Sequence, residues 1–173
     1  MQDILERAEQ IKLVIFDVDG VLTDGSLFFS DSGEEMKAFN SRDGHGMKML
    51  RESGVEVAII TGRTSNVVTH RMENLGIKYV YQGQHEKLPA FLELIERLDV
   101  TAEQVAYVGD DVVDLPIMRR VGLAVAVQDA HSWVKKHAHW QTPSCGGRGA
   151  ARDICELIME AQGSLESALR RYL

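Results

Sequence analysis

Residues 11–23 read Ile11-Lys12-Leu13-Val14-Ile15-Phe16-Asp17-Val18-Asp19-Gly20-Val21-Leu22-Thr23, and the break at Asp17 decides the fold. The apolar, β-favouring run before it is that of a strand buried on both faces, as in a parallel sheet. Two carboxylates then follow where the strand should end. Side by side and buried, each loses its hydration and repels the other. A cation held between them relieves both costs, as does a proton kept on one of them for acid–base work. An ordinary Asp-Gly turn accounts for Asp19-Gly20 but leaves Asp17 unexplained.

Outward from this strand, similar apolar runs recur at 12–17, 55–60, 78–81, 105–108 and 123–127, with helical patterns at 44–53, 65–75, 87–98, 112–121 and 131–138 between them. This alternation predicts a Rossmann-like α/β fold, a mainly parallel sheet flanked by helices with right-handed crossovers. Four strands end in polar or Gly-rich turns: Asp17 to Gly20, Thr61-Gly62-Arg63, Gln82-Gly83 and Gly109-Asp110-Asp111. Ligands bind beyond the carboxyl ends of such strands, so the unusual polar residues collect at one rim.

Two stretches stand outside the repeat. Residues 26–40 predict a β-hairpin turning at Asp31-Ser32-Gly33, with Leu27, Phe28, Phe29, Met36 and Phe39 more apolar than a solvated hairpin needs. They either fold back on their own domain or, the reading favoured here, pair with copies in other subunits. After Pro143, residues 144–149 read as a flexible Gly-rich linker, followed by an amphipathic helix near 150–161 and a polar end. On this reading, truncation before Gly146 leaves the core intact.

The 173 residues suit one domain, 1–173, with a sizeable core. A net charge of −7 and the lack of any basic patch argue against a nucleic-acid partner. No run is long enough to span a bilayer and residues 1–10 lack a signal-peptide core, so no membrane association is expected. Cys145 and Cys155 fit no metal or disulfide spacing and read as free thiols of a cytoplasmic protein. His131, His137 and His139 read as part of a solvated face.

At the rim, Thr61 offers a hydroxyl and free backbone N–H groups to phosphate oxygens. Lys87, at the start of a helix, is weak evidence by itself. Gly109-Asp110-Asp111-Val112-Val113-Asp114 places three acids at a helix start. Capping accounts for part of Asp111, but not for the cluster's sharing a rim with Asp17 and Asp19. Together these groups describe phosphoryl transfer. Mg²⁺, a hard cation, would neutralise charge between the carboxylates and a phosphate dianion, while Thr61 and Lys87 hold the remaining oxygens.

The order Asp-x-Asp, Thr, Lys and Gly-Asp-Asp resembles the haloacid-dehalogenase phosphatase superfamily. That resemblance implies that Asp17 is the nucleophile and forms an aspartyl-phosphate, and that Asp19 protonates the leaving oxygen and later activates water. It also implies Mg²⁺ ligation by Asp17, the backbone carbonyl of Asp19 and Asp110, supported by Asp111 or Asp114. The hairpin, and the short link from Thr61 to Lys87, leave no room for a cap domain.

Further stretches, Asp17 to Gly25, Phe39 to Gly44, Ile60 to Arg63 and Gly146-Gly147-Arg148-Gly149-Ala150-Ala151-Arg152, are similar to the 3-deoxy-D-manno-octulosonate 8-phosphate phosphatase family. The resemblance covers nearly the whole chain. It implies release of the free sugar acid (KDO) and phosphate in lipopolysaccharide precursor biosynthesis. It also implies a homotetramer with hairpins assembled centrally and each site closed by a neighbour. Substrate contacts are implied at Asp19, Asn40, Ser41, Arg42, Asp43, Gly44, Lys48, Arg63, Arg71 and Lys87. For Lys48 and Arg71, a solvated helix face is an equal alternative. A phosphatase for a related nonulosonic or deoxy-sugar acid phosphate is the nearest competitor. A phospho-accepting receiver domain uses similar groups, but places its acidic pair first and its acceptor on a later strand.

Overall fold

The computed structural model describes residues 1–173. Six parallel strands form the main sheet: β1 (Leu13–Phe16), β4 (Glu56–Ile60), β5 (Tyr79–Tyr81), β6 (Val105–Gly109), β7 (Leu123–Ala126) and β8 (Trp140–Gln141). Their order is β5-β4-β1-β6-β7-β8. Strand β1 is central, and all four of its side chains are wholly buried. At about 1.5–3 kcal/mol per buried large apolar side chain, this strand is a main source of stability. Phe16 lies opposite Ile59 on one side and Val108 on the other. Asp17, Thr61 and Asp110 therefore emerge at nearly one level, where the strand order changes direction.

The predicted helices are present as α2 (Ser41–Glu52), α3 (Asn66–Leu75), α4 (Leu88–Leu98), α5 (Leu115–Met118) and α6 (Ser132–His137). Helix α2 begins three residues before the expected 44, because the Asn40 side chain accepts the N–H groups of Arg42 and Asp43 and caps it there. The expected helix 112–121 is a correction: it is a 3₁₀ turn at Val112–Asp114 followed by the single turn of α5. Asp111 caps the first piece, Pro116 restarts the second, and Arg119 is its C-cap. Sequence reading missed β8 as a strand, two residues too short to show periodicity.

The hairpin is shorter than 26–40 suggests. Strand β2 (Phe28–Phe29) pairs antiparallel with β3 (Glu35–Met36), with Ser30 to Glu34 closing the turn. Leu27, Phe28, Phe29 and Met36 are exposed, whereas Phe39 packs on the chain's own core. Helices α1 (Gln2–Glu9), α7 (Ala150–Ala161) and α8 (Leu165–Arg170) complete the fold.

The linker expected at 144–149 is packed in place. Gly146 N–H donates to Asp129 and Gly147 N–H to the carbonyl of Val21. A Cβ on Gly146 would collide with the carbonyl of Gly20. Glycine here serves close backbone approach rather than freedom. Helix α7 buries Ile154, Cys155, Ile158 and Met159 in the single apolar core, so truncation before Gly146 removes part of that core. No helix is long and apolar enough to cross a membrane.

Candidate active site

Asp17, Asp19, Thr61, Arg63, Lys87 and Asp110 line one open cleft of about 240 Å³, together with Gln84, His85 and Val113, which the sequence reading did not single out. Behind Asp17 the floor is ionic. Lys87, its side chain 2% exposed, lies 2.7 Å from Asp114 Oδ1 and 3.1 Å from Asp17 Oδ1. Burial alone would favour the neutral amine, but Asp114 and Asp17 outweigh it and hold the ammonium above its ordinary pKa.

Asp114 is fixed from four sides. Tyr107 Oη donates to its Oδ1 at 2.7 Å, Lys87 bonds the same oxygen, and the N–H groups of Asp110 and Asp111 reach Oδ2. Tyr107 was not foreseen, because a Tyr within an apolar strand run reads as core. Asp111 lines the same cleft, and its Oδ1 accepts Val112 N–H at 2.7 Å, so this acid also caps the turn that follows.

Carboxylate oxygens of Asp17, Asp110 and Asp114 lie within 4.8 Å of one another. Burial, then the neighbouring Asp114, pushes Asp17 up to about 6, with Lys87 and the Val18 N–H pulling the other way. Burial and the charges of Asp114, Asp17 and Asp111 push Asp110 up to about 8. Asp17 Oδ1 faces the Lys87 ammonium at 3.1 Å and has no other partner, so it keeps an open acceptor position. Gly20 at φ +90° lets Asp110 close on the 18–23 turn, where a Cβ would strike its carboxylate. Crowded, hard oxygen donors with an open acceptor fit a divalent cation such as Mg²⁺.

The Asp19 side chain faces away from this group, toward Lys37 at 2.5 Å and Arg63 at 3.9 Å. Thr61 is buried just past the end of β4 and lines the same cleft.

The other expected substrate contacts do not converge here within one chain. Asn40 caps α2 and its amide donates to Gly147 O. Asp43 is buried and accepts the N–H groups of Gly149 and Arg152, capping α7. Gly44 lies under the Arg71 guanidinium, which donates to Asn40 O and stacks on Phe39. Ser41, Arg42 and Lys48 sit exposed on α2. Asp43 and Gly44 therefore have structural work in the subunit, which short-range sequence patterns do not show.

A doubly flanked parallel sheet carrying Asp-x-Asp, Thr, Lys and an acidic cluster at its switch point defines a haloacid dehalogenase-like hydrolase. Residues 79–153 match the family model of that description. The chain is 51% identical over 166 residues to the 3-deoxy-D-manno-octulosonate 8-phosphate phosphatase of Escherichia coli (strain K12), covering 96% of this chain and 88% of that protein. The crystal structure of the same phosphatase from Moraxella catarrhalis, in complex with magnesium ion, phosphate ion and KDO, has a TM-score of 0.98 and 38% identity, covering 100% of this chain and 99% of that one. The cobalt-bound form from Haemophilus influenzae has a TM-score of 0.91 and 42% identity, covering 95% and 99%. The chain belongs to the 3-deoxy-D-manno-octulosonate 8-phosphate phosphatase family, and is a phosphoric monoester hydrolase.

Proposed function

We propose that this enzyme hydrolyses 3-deoxy-D-manno-octulosonate 8-phosphate to the free sugar acid and phosphate, through an aspartyl-phosphate on Asp17. The observation that carries the reading is the convergence of Asp17, Asp19, Thr61, Lys87 and Asp110 in one cleft, in a chain 51% identical to that phosphatase. Asp17, Asp110 and the Asp19 carbonyl would hold Mg²⁺, with Asp114 beside them in support; the ion when bound offsets the repulsion between carboxylates and phosphate dianion.

An Asp17 oxygen attacks phosphorus, the bond from phosphorus to the sugar oxygen breaks, and Asp19 delivers a proton to that oxygen. In the second step Asp19 takes a proton from water. The water oxygen attacks phosphorus and the Asp17–phosphorus bond breaks, returning the carboxylate. Thr61 and Lys87 bind the phosphoryl oxygens that carry charge. Arg63, exposed at the rim and paired there with Glu35, would turn to the sugar carboxylate.

The cleft is open and has no cap. A homotetramer built through the exposed Phe28, Phe29 and Met36 would cover it and bring Asn40, Ser41, Arg42, Lys48 or Arg71 of one subunit toward another's site. Action on a lipopolysaccharide precursor in the cytoplasm completes the reading. Phosphate release from a sugar-phosphate panel, with and without Mg²⁺, tests it. The eight-carbon acid should be preferred and turnover should need the metal; equal rates with other deoxy-sugar acid phosphates overturn the substrate assignment.

A further inference from the structure

The hairpin brings against Asp19 and Arg63, on the wall of the cleft, two charged side chains that the reaction above leaves unused, Glu35 and Lys37. The Lys37 side chain is 1% exposed. Its ammonium lies 2.5 Å from Asp19 Oδ1 and 3.2 Å from Glu35 Oε1. Glu35 in turn accepts Arg63 Nη2 at 2.9 Å, while Arg63 Nε lies 3.9 Å from Asp19 Oδ2. Both oxygens of Asp19 thus face cations that one hairpin carboxylate holds in place.

Stability does not call for this arrangement. Burying an ammonium forfeits its hydration, and an apolar side chain fills such a space more cheaply. The hairpin has only two paired residues per strand, and its apolar side chains are exposed, so Lys37 supports no core of its own. A buried cation aimed at a single carboxylate oxygen is the kind of contact that fixes a reacting group's rotamer.

We propose that Lys37 is a positioning residue for Asp19, holding its carboxylate where it meets first the leaving oxygen and then the attacking water. Glu35 and Arg63 keep Lys37 in register, so Asp19 is placed from the hairpin and not from the strand that carries it. The inference rests on the acid–base reading of Asp19.

Steady-state and single-turnover kinetics of Lys37→Met, Lys37→Arg and Asp19→Asn test it. Lys37→Met should lower kcat roughly ten- to hundredfold, less than the hundred- to ten-thousandfold that general acid–base catalysis itself typically contributes. KM and the half-saturating Mg²⁺ concentration should stay within about twofold. Lys37→Arg should recover most of the loss. Phosphoenzyme formation from p-nitrophenyl phosphate, whose leaving group needs no proton, should be largely spared. Added to Asp19→Asn, Lys37→Met should change the rate by less than about twofold, since both act through one carboxylate.

A raised KM with unchanged kcat would make Lys37 a substrate ligand instead. An undiminished penalty in the Asp19→Asn background, or equal loss with the activated ester, also overturns the proposal. If Lys37→Met does not fold, Lys37→Gln carries the test: kcat must fall without a change in KM. Should Asp19→Asn itself turn over normally, it is the acid–base reading that fails.

Discussion

Asp43 accepts the backbone N–H of Arg152 at 2.9 Å, joining α2 to the first turn of α7 across 109 residues of chain. A second bond comes from Gly149 N–H, so this acid caps the helix that follows the Gly-rich loop. Asp43→Ala should therefore cost about 1–3 kcal/mol, as expected for a lost cap that strands buried donors. Denaturant melts should show the loss while KM of the remaining folded enzyme is little changed. A raised KM at full stability would return Asp43 to the substrate.

Asp17→Asn should abolish turnover without unfolding the protein. Asparagine also removes a charge that burial and Asp114 disfavour, so the metal-free variant should melt no lower than the parent. Residual activity above about a thousandth of the parent, far more than loss of a nucleophile allows, would rule out its role. Asp19→Asn should slow both steps; a normal burst and steady-state rate would contradict its assignment.

Metal dependence should be strongly linked to pH. Unfolded aspartates ionise near 4, whereas Asp17 and Asp110 rise to about 6 and about 8 in the folded chain. Between pH 4 and pH 8 the folded state thus binds more protons than the unfolded one. Its metal-free stability should fall as pH rises through that window. Mg²⁺ must displace those protons, so its affinity should weaken from pH 8 to pH 6. Thermal melts with chelator and with Mg²⁺ at both ends of the window measure the two trends; a metal-induced shift larger at low pH would contradict them.

Gly146→Ala forces a methyl group against the Gly20 carbonyl. Overpacking of this kind costs about 1–3 kcal/mol. Because Gly20 closes the turn beside Asp110, the variant should also need more Mg²⁺ for half-maximal rate. Unchanged stability and metal demand would show that the loop gives way freely.

The four central strands, β1, β4, β6 and β7, were legible because they are buried on both faces: continuous apolar runs such as Val57 to Ile60 admit few other readings. Helix limits were less so. Asn40 and Asp111 move or break helices through side-chain caps, which hydrophobic periodicity does not register. The linker at 144–149 was misread because glycine that frees a chain and glycine that admits a neighbouring backbone look alike in sequence.

By itself, the sequence determined which residues share the cleft, since Asp17, Thr61, Lys87 and Asp110 each follow or flank a strand and parallel topology gathers such ends at one rim. Only the tertiary structure could divide the remaining acids and bases. It turned Asp43 and Asp111 into caps, locked Asp114 under Tyr107 and Lys87, and set Lys37 against Asp19. Those roles depend on which groups meet across long separations in a low-dielectric interior, where each polar atom must find a partner, and no local pattern encodes that.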